Sequence, residues 1–381
     1  MNTNLHIVRN GVSQDSRVLK ITSTLLGSGL FSSVEIAGFE HAGLPEHEDL
    51  AGRRIWRVAL KSRRLPKDLL SQSIKYLEWH QRVVARYRHA PLSVIHCHDL
   101  EPLPIAVELK QMTGARLIYD AHELQTERSG IRGLRKRFMA ITEARGMRHV
   151  DSLITVSPSI LNWYRQRYPE ISARLVRNVP KVPPVTTEPE DLRARFGVPE
   201  GALLFIFQGG CLPGRGIERM LAAFADPAVI HHLVFMGSGP LVERIREFAH
   251  HHRNIHSIAP VAPDAVLAMT GGADVGVNLT EDTCLNHRYC LPNKLFEYWT
   301  AGIPVLASDL PDQASLVNEY RAGWLASSGP RGLVESLVAL GPEDVASVRP
   351  GVERIRREVT WNREAVELVA AYQEALERRS S

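Results

Sequence analysis

The sequence predicts an α/β protein of two domains, and three observations lead there. The chain is 381 residues long, where a single domain takes about 100–200 residues. Short apolar runs alternate with amphipathic stretches, the pattern of parallel strands joined by helices. The alternation occurs twice, on either side of a proline-punctuated interruption.

In the first series the expected strands are Leu5–Val8, Val34–Phe39, Ile55–Val58, Val94–Cys97, Leu117–Tyr119 and Ser152–Val156, separated by helical patterns such as Asp68–Arg88 and Pro104–Thr113. The second series runs through Leu203–Phe207, Leu233–Met236, Ile255–Ile258, Val275–Asn278 and Pro304–Ala307. Each reads as a Rossmann-like half. The expected domains are residues 1–178 and 200–358, joined by a linker at 179–199 and followed by a tail, 359–381, whose segment Trp361–Glu377 is amphipathic. Ligands of open parallel sheets bind beyond the carboxyl ends of the strands. Two such sheets facing each other would hold a ligand between them.

Composition narrows the class. With 44% hydrophobic and 23% charged residues, the chain suits a folded protein better than a disordered or fibrous one. No apolar run approaches the roughly 18 residues of a membrane span, and the polar start gives no signal-peptide pattern. A cytoplasmic location is expected. Cys97, Cys211, Cys284 and Cys290 form no C-x2-C pair, so reduced thiols are expected. The net charge of +4 hides an asymmetry: residues 1–180 carry 27 Lys and Arg against 17 Asp and Glu, net +10, and the remainder carries 19 against 25, net −6. A basic half attracts nucleic acid, anionic lipid or phosphorylated substrates. No aromatic–basic interleaving of the kind that binds nucleic acid appears, which makes nucleic-acid binding a remote alternative.

Four segments could carry chemistry. The run from Phe205 through Gly209, Gly210, Gly214, Arg215 and Gly216 to Phe224 is a strand, a glycine-rich turn and a helix with Ile217, Leu221 and Phe224 on one face. Glycines admit an anion, the helix start offers N–H groups, and Arg215 adds a full charge. It is neither G-x-G-x-x-G nor a P-loop, which disfavours a nicotinamide dehydrogenase. From Val275 to Ala307 a strand and polar loop lead to Pro292, suited to a first helical position, and Gly302 ends that helix. Lys294 then sits in the first turn with Glu297 three residues on, and a lysine there is unfavourable unless an anion meets it. In the basic half, His96, His98 and Asp99, and then Asp120, His122 and Glu123, follow apolar strands. A histidine beside a carboxylate can act as base, hydrogen-bond donor or metal ligand. Zinc is disfavoured because ligand pairs at helical spacing are absent, and His96 and His98 could equally be core residues. The segment Leu5–Val18 holds a strand, Gly11 and a helix opening, and Phe235–Pro240 is another strand-end turn containing Gly237 and Gly239.

Together these segments resemble the retaining nucleotide-sugar glycosyltransferases of family 4. Gly209–Gly216 is similar to the family's G-R-x4-K-G turn, Gly237–Pro240 to its G-x-G-P turn, and Pro292–Val305 to its helix ending in A-G-x-P-V. Asp15–Val18 and Asp120–Leu124 are similar to the D-x-R-V and D-x-H-E-L signatures of a bacterial surface-polysaccharide subgroup. The resemblance implies the GT-B fold, two facing Rossmann-like domains with the last helix returning to the first. The sequence also departs from the family. Gly210 replaces the family's arginine, Arg215 its lysine, and Tyr289 the first of two glutamates, of which Glu297 is the second.

The implied reaction moves a sugar from a UDP, GDP or dTDP donor to a saccharide or lipid-linked hydroxyl, with retention and with neither metal nor separate cofactor. No D-x-D motif for a metal occurs. Arg215, Lys294 and the amides of Gly209–Gly210 and Cys290–Leu291 are expected at the diphosphate, with Asn293 beside them and Glu297 on the ribose. Gly11, Gly237, Gly239 and Val261 are further donor-site candidates, His122 is assigned to the sugar, and Asp99 and Glu123 are secondary. Lys61–Lys67 and Arg132–Phe138 mix cations with apolar residues, as would suit an anionic membrane surface, making peripheral attachment to the inner face the expectation. A non-hydrolysing nucleotide-sugar epimerase is the same-fold alternative.

Overall fold

The computed structural model describes residues 2–13, 15–182, 188–327, 329 and 331–377. Residues 183–187 of the expected linker, 378–381 of the expected tail, and Gln14 lie outside the described residues. The chain divides into two compact units. One comprises 1–177 with 364–381, and the other 178–363.

The first unit is built on eight strands: β1 Thr3–Ile7, β2 Ser33–Phe39, β3 His47–Leu50, β4 Arg53–Val58, β5 Leu92–His98, β6 Arg116–Ala121, β7 Ser152–Thr155 and β8 Ser172–Leu175. Their order is β3-β4-β2-β1-β5-β6-β7-β8. All neighbours pair in parallel except β3 with β4. The expected strands all form, most of them longer than their apolar runs. Two were not expected: β3 (HEDL) and β8 (SARL). Both are edge strands, where one side is not covered and the residues need not be apolar.

The second unit has six parallel strands: β9 Leu204–Gly210, β10 His232–Ser238, β11 Ile255–Ile258, β12 Val275–Asn278, β13 Val305–Ser308 and β14 Gly323–Ala326, in the order β11-β10-β9-β12-β13-β14. The short edge strand β14 (GWLA) was also not expected. Alternate residues of β9 enter different cores: Leu204 and Ile206 pack with Leu295, Tyr298 and Trp299, and Phe205 and Phe207 pack with Ile217, Leu221 and Phe224. The sheet is thus covered on both faces, as strands apolar on both sides require.

The expected linker corrects to a segment folded onto the second unit at its described ends. Val179 and Leu192 are buried in that unit's core. Leu192–Phe196 is a short helix, opened by Asp191 accepting from the Ala194 amide and closed by Gly197. Helix Trp361–Glu377 matches its amphipathic pattern. Leu368, Ala371, Tyr372 and Ala375 are fully buried, the i, i+3, i+4, i+7 face of a packed helix. Its Glu374 and Glu367 pair with Arg174, and Glu364 pairs with Arg177.

Candidate functional site

In the first unit, polar side chains gather at the carboxyl ends of β1, β5 and β6. Asp120 is fully buried on β6 and accepts from Arg17 Nε at 2.8 Å and from an Arg17 terminal nitrogen at 2.6 Å. Arg17 also donates to the Val176 carbonyl at 2.8 Å. Burial alone would raise the Asp120 carboxyl, but Arg17 and His122 outweigh it and hold it well below the usual range.

His122 lies just past β6, its side chain 23% exposed. Its Nε2 is 3.1 Å from Asp120 Oδ2 and its Nδ1 is 3.3 Å from Asp99 Oδ2, and Asp99 Oδ1 accepts from the His122 amide at 3.0 Å. Burial works against the charge on His122, yet Asp99 and Asp120 raise it to about 10. With both nitrogens facing carboxylates, His122 is an imidazolium, a donor of charge and hydrogen bonds rather than a base. Asp99 reaches it from a left-handed backbone, φ +67°, a conformation that costs energy in a non-glycine residue and clusters at functional sites. Glu123 instead pairs with Arg128 at 3.3 Å. The open alternatives for His96 and His98 resolve to buried residues, discussed below.

Gly11 is placed structurally. It is buried beneath His41, whose Cβ would lie 2.5 Å from an added Cβ, and its carbonyl accepts from Arg57 Nε at 2.7 Å. The second signature residue, Asp15, opens helix Ser16–Gly27 by accepting from the Val18 amide.

In the second unit the glycine-rich turns come together. Gly209 and Gly210 end β9 in register with Gly237 and Ser238 of β10, and the Cys211 amide donates to the Ser238 carbonyl. Gly239 could not be replaced without its Cβ lying 2.5 Å from the Cys211 carbonyl oxygen. Gly216, at φ +73°, precedes helix Ile217–Phe224 and lies so close to Leu279 that a Cβ would stand 2.3 Å from that carbonyl oxygen. Arg215 is half-buried just before it.

Pro292 caps helix Asn293–Thr300, one residue before the position expected for it, and Lys294 falls in the first turn. The Lys294 ammonium stands 3.7 Å from the centre of the Phe207 ring. Burial, and then the neighbouring Arg215, push Lys294 down to about 7, with Glu297 opposing. Among the described residues neither Lys294 nor Arg215 has a carboxylate at ion-pair distance. Glu297 accepts from Gln208 Nε2, whose Oε1 accepts from Thr270. The sequence offered one signal for Gln208, a polar residue closing the apolar run Phe205–Phe207.

In the expected amide pair Cys290–Leu291, the first amide is already engaged. The Cys290 amide donates to the His287 carbonyl at 3.3 Å, and the Leu291 side chain belongs to the core. Asn293 is exposed at the helix start, Tyr289 ends the short helix Leu285–Arg288, and Val261 packs against the core from its loop.

Residues 17–180 match the model of a glycosyl transferase 4-like domain, and residues 216–370 that of a glycosyl transferase-like domain. The chain is a glycosyltransferase of the family 4/1 type. Solved structures agree in fold across nearly the whole length of this glycosyltransferase. Sucrose-phosphate synthase from Thermosynechococcus elongatus superposes with a TM-score of 0.78 at 16% identity, covering 98% of this chain and 99% of that one. HepE from Anabaena, in complex with UDP and glucose, gives 0.70 at 14%, covering 99% of each chain. WaaG, involved in lipopolysaccharide biosynthesis, gives 0.67 at 15%, covering 97% and 98%. The fold of the glycosyltransferase is therefore GT-B. No curated protein matches its sequence.

The carboxylates around His122 make its charge a stability term. Its folded value lies above the unfolded value of about 6.5, so its contribution is full below that pH and is lost as pH rises through about 10. The stability advantage of the wild type over His122→Gln, from urea unfolding at about pH 6, 8 and 10, is expected to shrink along the series. An advantage that grows with pH contradicts the imidazolium.

Proposed function

We propose that the protein transfers a sugar from a nucleoside-diphosphate donor to an acceptor hydroxyl with retention at the anomeric carbon, in polysaccharide or glycolipid biosynthesis. One observation carries the reading. Lys294, in the first turn of its helix, and Arg215, close enough to lower it, have no ion-pair partner among the described residues, and Lys294 is driven down to about 7. Two cations held against their mutual repulsion suit an anion of more than one charge, and a diphosphate supplies it.

As the bond from the anomeric carbon to the phosphate oxygen breaks, charge grows on the departing diphosphate. Arg215 and Lys294, with the amides of Gly209 and Gly210, meet that charge in a preorganised site, which removes the need for a metal at this step. The acceptor oxygen bonds to the anomeric carbon on the face the phosphate leaves, and its proton passes to a diphosphate oxygen, so no protein base is required. Glu297, oriented by Gln208, accepts from the ribose hydroxyls. Asn293, Leu291, Gly237, Gly239 and Val261 are assigned to the rest of the donor, with UDP sugars the first class to test, given the UDP and UDP-glucose complexes of HepE. His122 is assigned to the transferred sugar, with Asp99 as its support. Epimerisation without an acceptor is the less favoured reading, since the domain models describe transferases.

The acceptor is assigned to an anionic membrane surface or a lipid on it. Two helices of the first unit turn apolar residues outward: Leu69 and Leu70 are 84% and 72% exposed, and Leu134 and Phe138 are 84% and 72% exposed. Lys61, Arg63, Arg64, Lys67, Arg132, Arg135 and Arg137 lie in or beside these segments. Apolar side chains among cations are what an anionic interface binds. Among the described residues no helix is long and apolar enough to cross a membrane.

Lys294→Ala is expected to lower turnover of a donor sugar by roughly 10²-fold or more, with the donor identified by thermal shift against UDP, GDP and dTDP sugars. Unchanged turnover in a folded variant overturns the role of Lys294. Leu69→Ser with Phe138→Ser is expected to abolish co-sedimentation with vesicles containing phosphatidylglycerol. Equal sedimentation of wild type with anionic and neutral vesicles, or none with either, removes the membrane assignment.

A further inference from the structure

Beneath His122, a polar stripe crosses three adjacent strands on one face of the first unit's sheet. Asn4 and His6 of β1, His96 and His98 of β5 and Asp120 of β6 alternate with apolar neighbours, and the register sets His6 beside His96 and His98 beside Asp120. All are buried at 2% exposure or less. Helix Trp361–Glu377 adds Tyr372 to them.

The hydrogen bonds close a ring. Asn4 Nδ2 lies 3.1 Å from His6 Nε2 and 3.1 Å from the Tyr372 hydroxyl. His6 Nδ1 is 3.0 Å from His98 Nε2, and His98 Nδ1 is 3.5 Å from Asp120 Oδ2, with His122 Nε2, which shares that oxygen, 3.3 Å away. On the other limb the Tyr372 hydroxyl is 2.6 Å from His96 Nδ1, and His96 Nε2 is 3.4 Å from the same Asp120 oxygen.

Donor and acceptor chemistry gives this ring a direction. Asp120, paired with Arg17, is ionised and can only accept, so His98 presents Nδ1–H to it and His96 presents Nε2–H. A neutral imidazole accepts at its other nitrogen. His98 Nε2 therefore takes a proton from His6 Nδ1, and His96 Nδ1 takes one from the Tyr372 hydroxyl. His6 Nε2 and the Tyr372 oxygen then both need donors, and the two N–H groups of Asn4 supply them. The reversed amide would take the Tyr372 proton, leave His96 Nδ1 to donate to Tyr372, and so set the bare Nε2 of His96 against the Asp120 carboxylate. The arrangement leaves Asn4 Oδ1 buried with no partner, an orphan group that a merely structural asparagine rarely tolerates.

We propose that Asn4 and Tyr372 are positioning residues of the His122 site: by donating to the outer nitrogens of His6 and His96 they keep the three inner imidazoles neutral and confine the positive charge of the cluster to His122 at its open edge. The electrostatic environment agrees. Burial and neighbouring histidines lower His6, burial and His98 push His96 down to about 3, and burial lowers His98. The charged and titratable groups facing His122 are Asp99, Asp120, Asp15 and His98, with Arg17 behind Asp120. The inference rests on assigning His122 to the sugar, and it gives the tail helix a part in that site through a residue 276 positions from its partner His96.

The test is long-range proton–nitrogen NMR of the histidine rings in the full-length protein at about pH 7. The expected spectrum has His6 and His98 neutral with the proton on Nδ1, His96 neutral with the proton on Nε2, and His122 doubly protonated. Asn4→Asp, which replaces a donor by an acceptor, is expected to put a second proton on His6. Tyr372→Phe is expected to leave His96 protonated on Nε2, move its Nδ1 resonance to that of a nitrogen without a hydrogen bond, and lower kcat on the order of tenfold with donor KM unchanged. An imidazolium on any inner histidine of the wild type, a neutral His122, or a His6 unaffected by Asn4→Asp overturns the proposal. The rings are read without substrate. Expected tautomers in a protein that transfers no sugar would sink the transferase reading alone, and wrong tautomers in an active enzyme would sink the ring alone.

Discussion

Charge set beyond the carboxyl end of a parallel strand is expensive unless something matches it, and both units are organised around that cost. The first unit meets it internally. Asp120 is matched by Nε and one terminal nitrogen of Arg17, whose other terminal nitrogen holds the Val176 carbonyl, so one guanidinium ties helix Ser16–Gly27 to β6 and to the chain leaving β8. His122 is matched in turn by Asp99 and Asp120. The second unit leaves the cost standing. Lys294 has the face of Phe207 and the neighbouring Arg215, and its proton is held weakly as a result.

That difference separates the parts the two units are given. A self-neutralised cluster with one imidazolium at its edge can orient neutral hydroxyls, and in the proposed reaction the unmatched Arg215 and Lys294 would meet a diphosphate. Preorganisation of this kind is where most of the barrier lowering by charge originates, because nothing has to turn toward the developing charge. The residues from 181 onward carry a net charge of −6, yet they hold both cations. Local placement, not the sum over the half, sets the charge beside the glycine turns. The surplus of +10 on residues 1–180 is left for the surface with outward Leu69, Leu70, Leu134 and Phe138.

Strands with apolar residues on both faces were legible, because a central parallel strand leaves a continuous run: Val275–Asn278, inside the sheet, forms as read. The edges β3, β8 and β14 were not, since pairing on one side sets them rather than composition. In the second unit the placement of the glycine turns at the ends of β9 and β10, and of Lys294 in the first turn of a helix, was legible from sequence order, because each lies within one contiguous segment. The Gln208 bond to Glu297 joins residues 89 positions apart, and the polar residue closing the run Phe205–Phe207 does not by itself name its partner. The first unit's network was half visible. The alternation His96-x-His98 showed that two histidines share a face, but Asn4 and Tyr372, which decide what those histidines carry, come from opposite ends of the chain. At Cys290 the amide is engaged within its own loop, by the carbonyl of His287 in the short helix Leu285–Arg288, a contact that the sequence order does not show.

The central claim is that Lys294, whose proton is held weakly in the protein alone, becomes fully charged against a diphosphate. Calorimetric titration of UDP into the protein at about pH 8, in two buffers of different ionisation enthalpy, measures it directly. With Lys294 near 7 in the protein alone, binding is expected to take up close to one proton, and Lys294→Met is expected to lose that uptake. Tight UDP binding with no proton uptake in the wild type, or with equal uptake in the variant, would contradict the account.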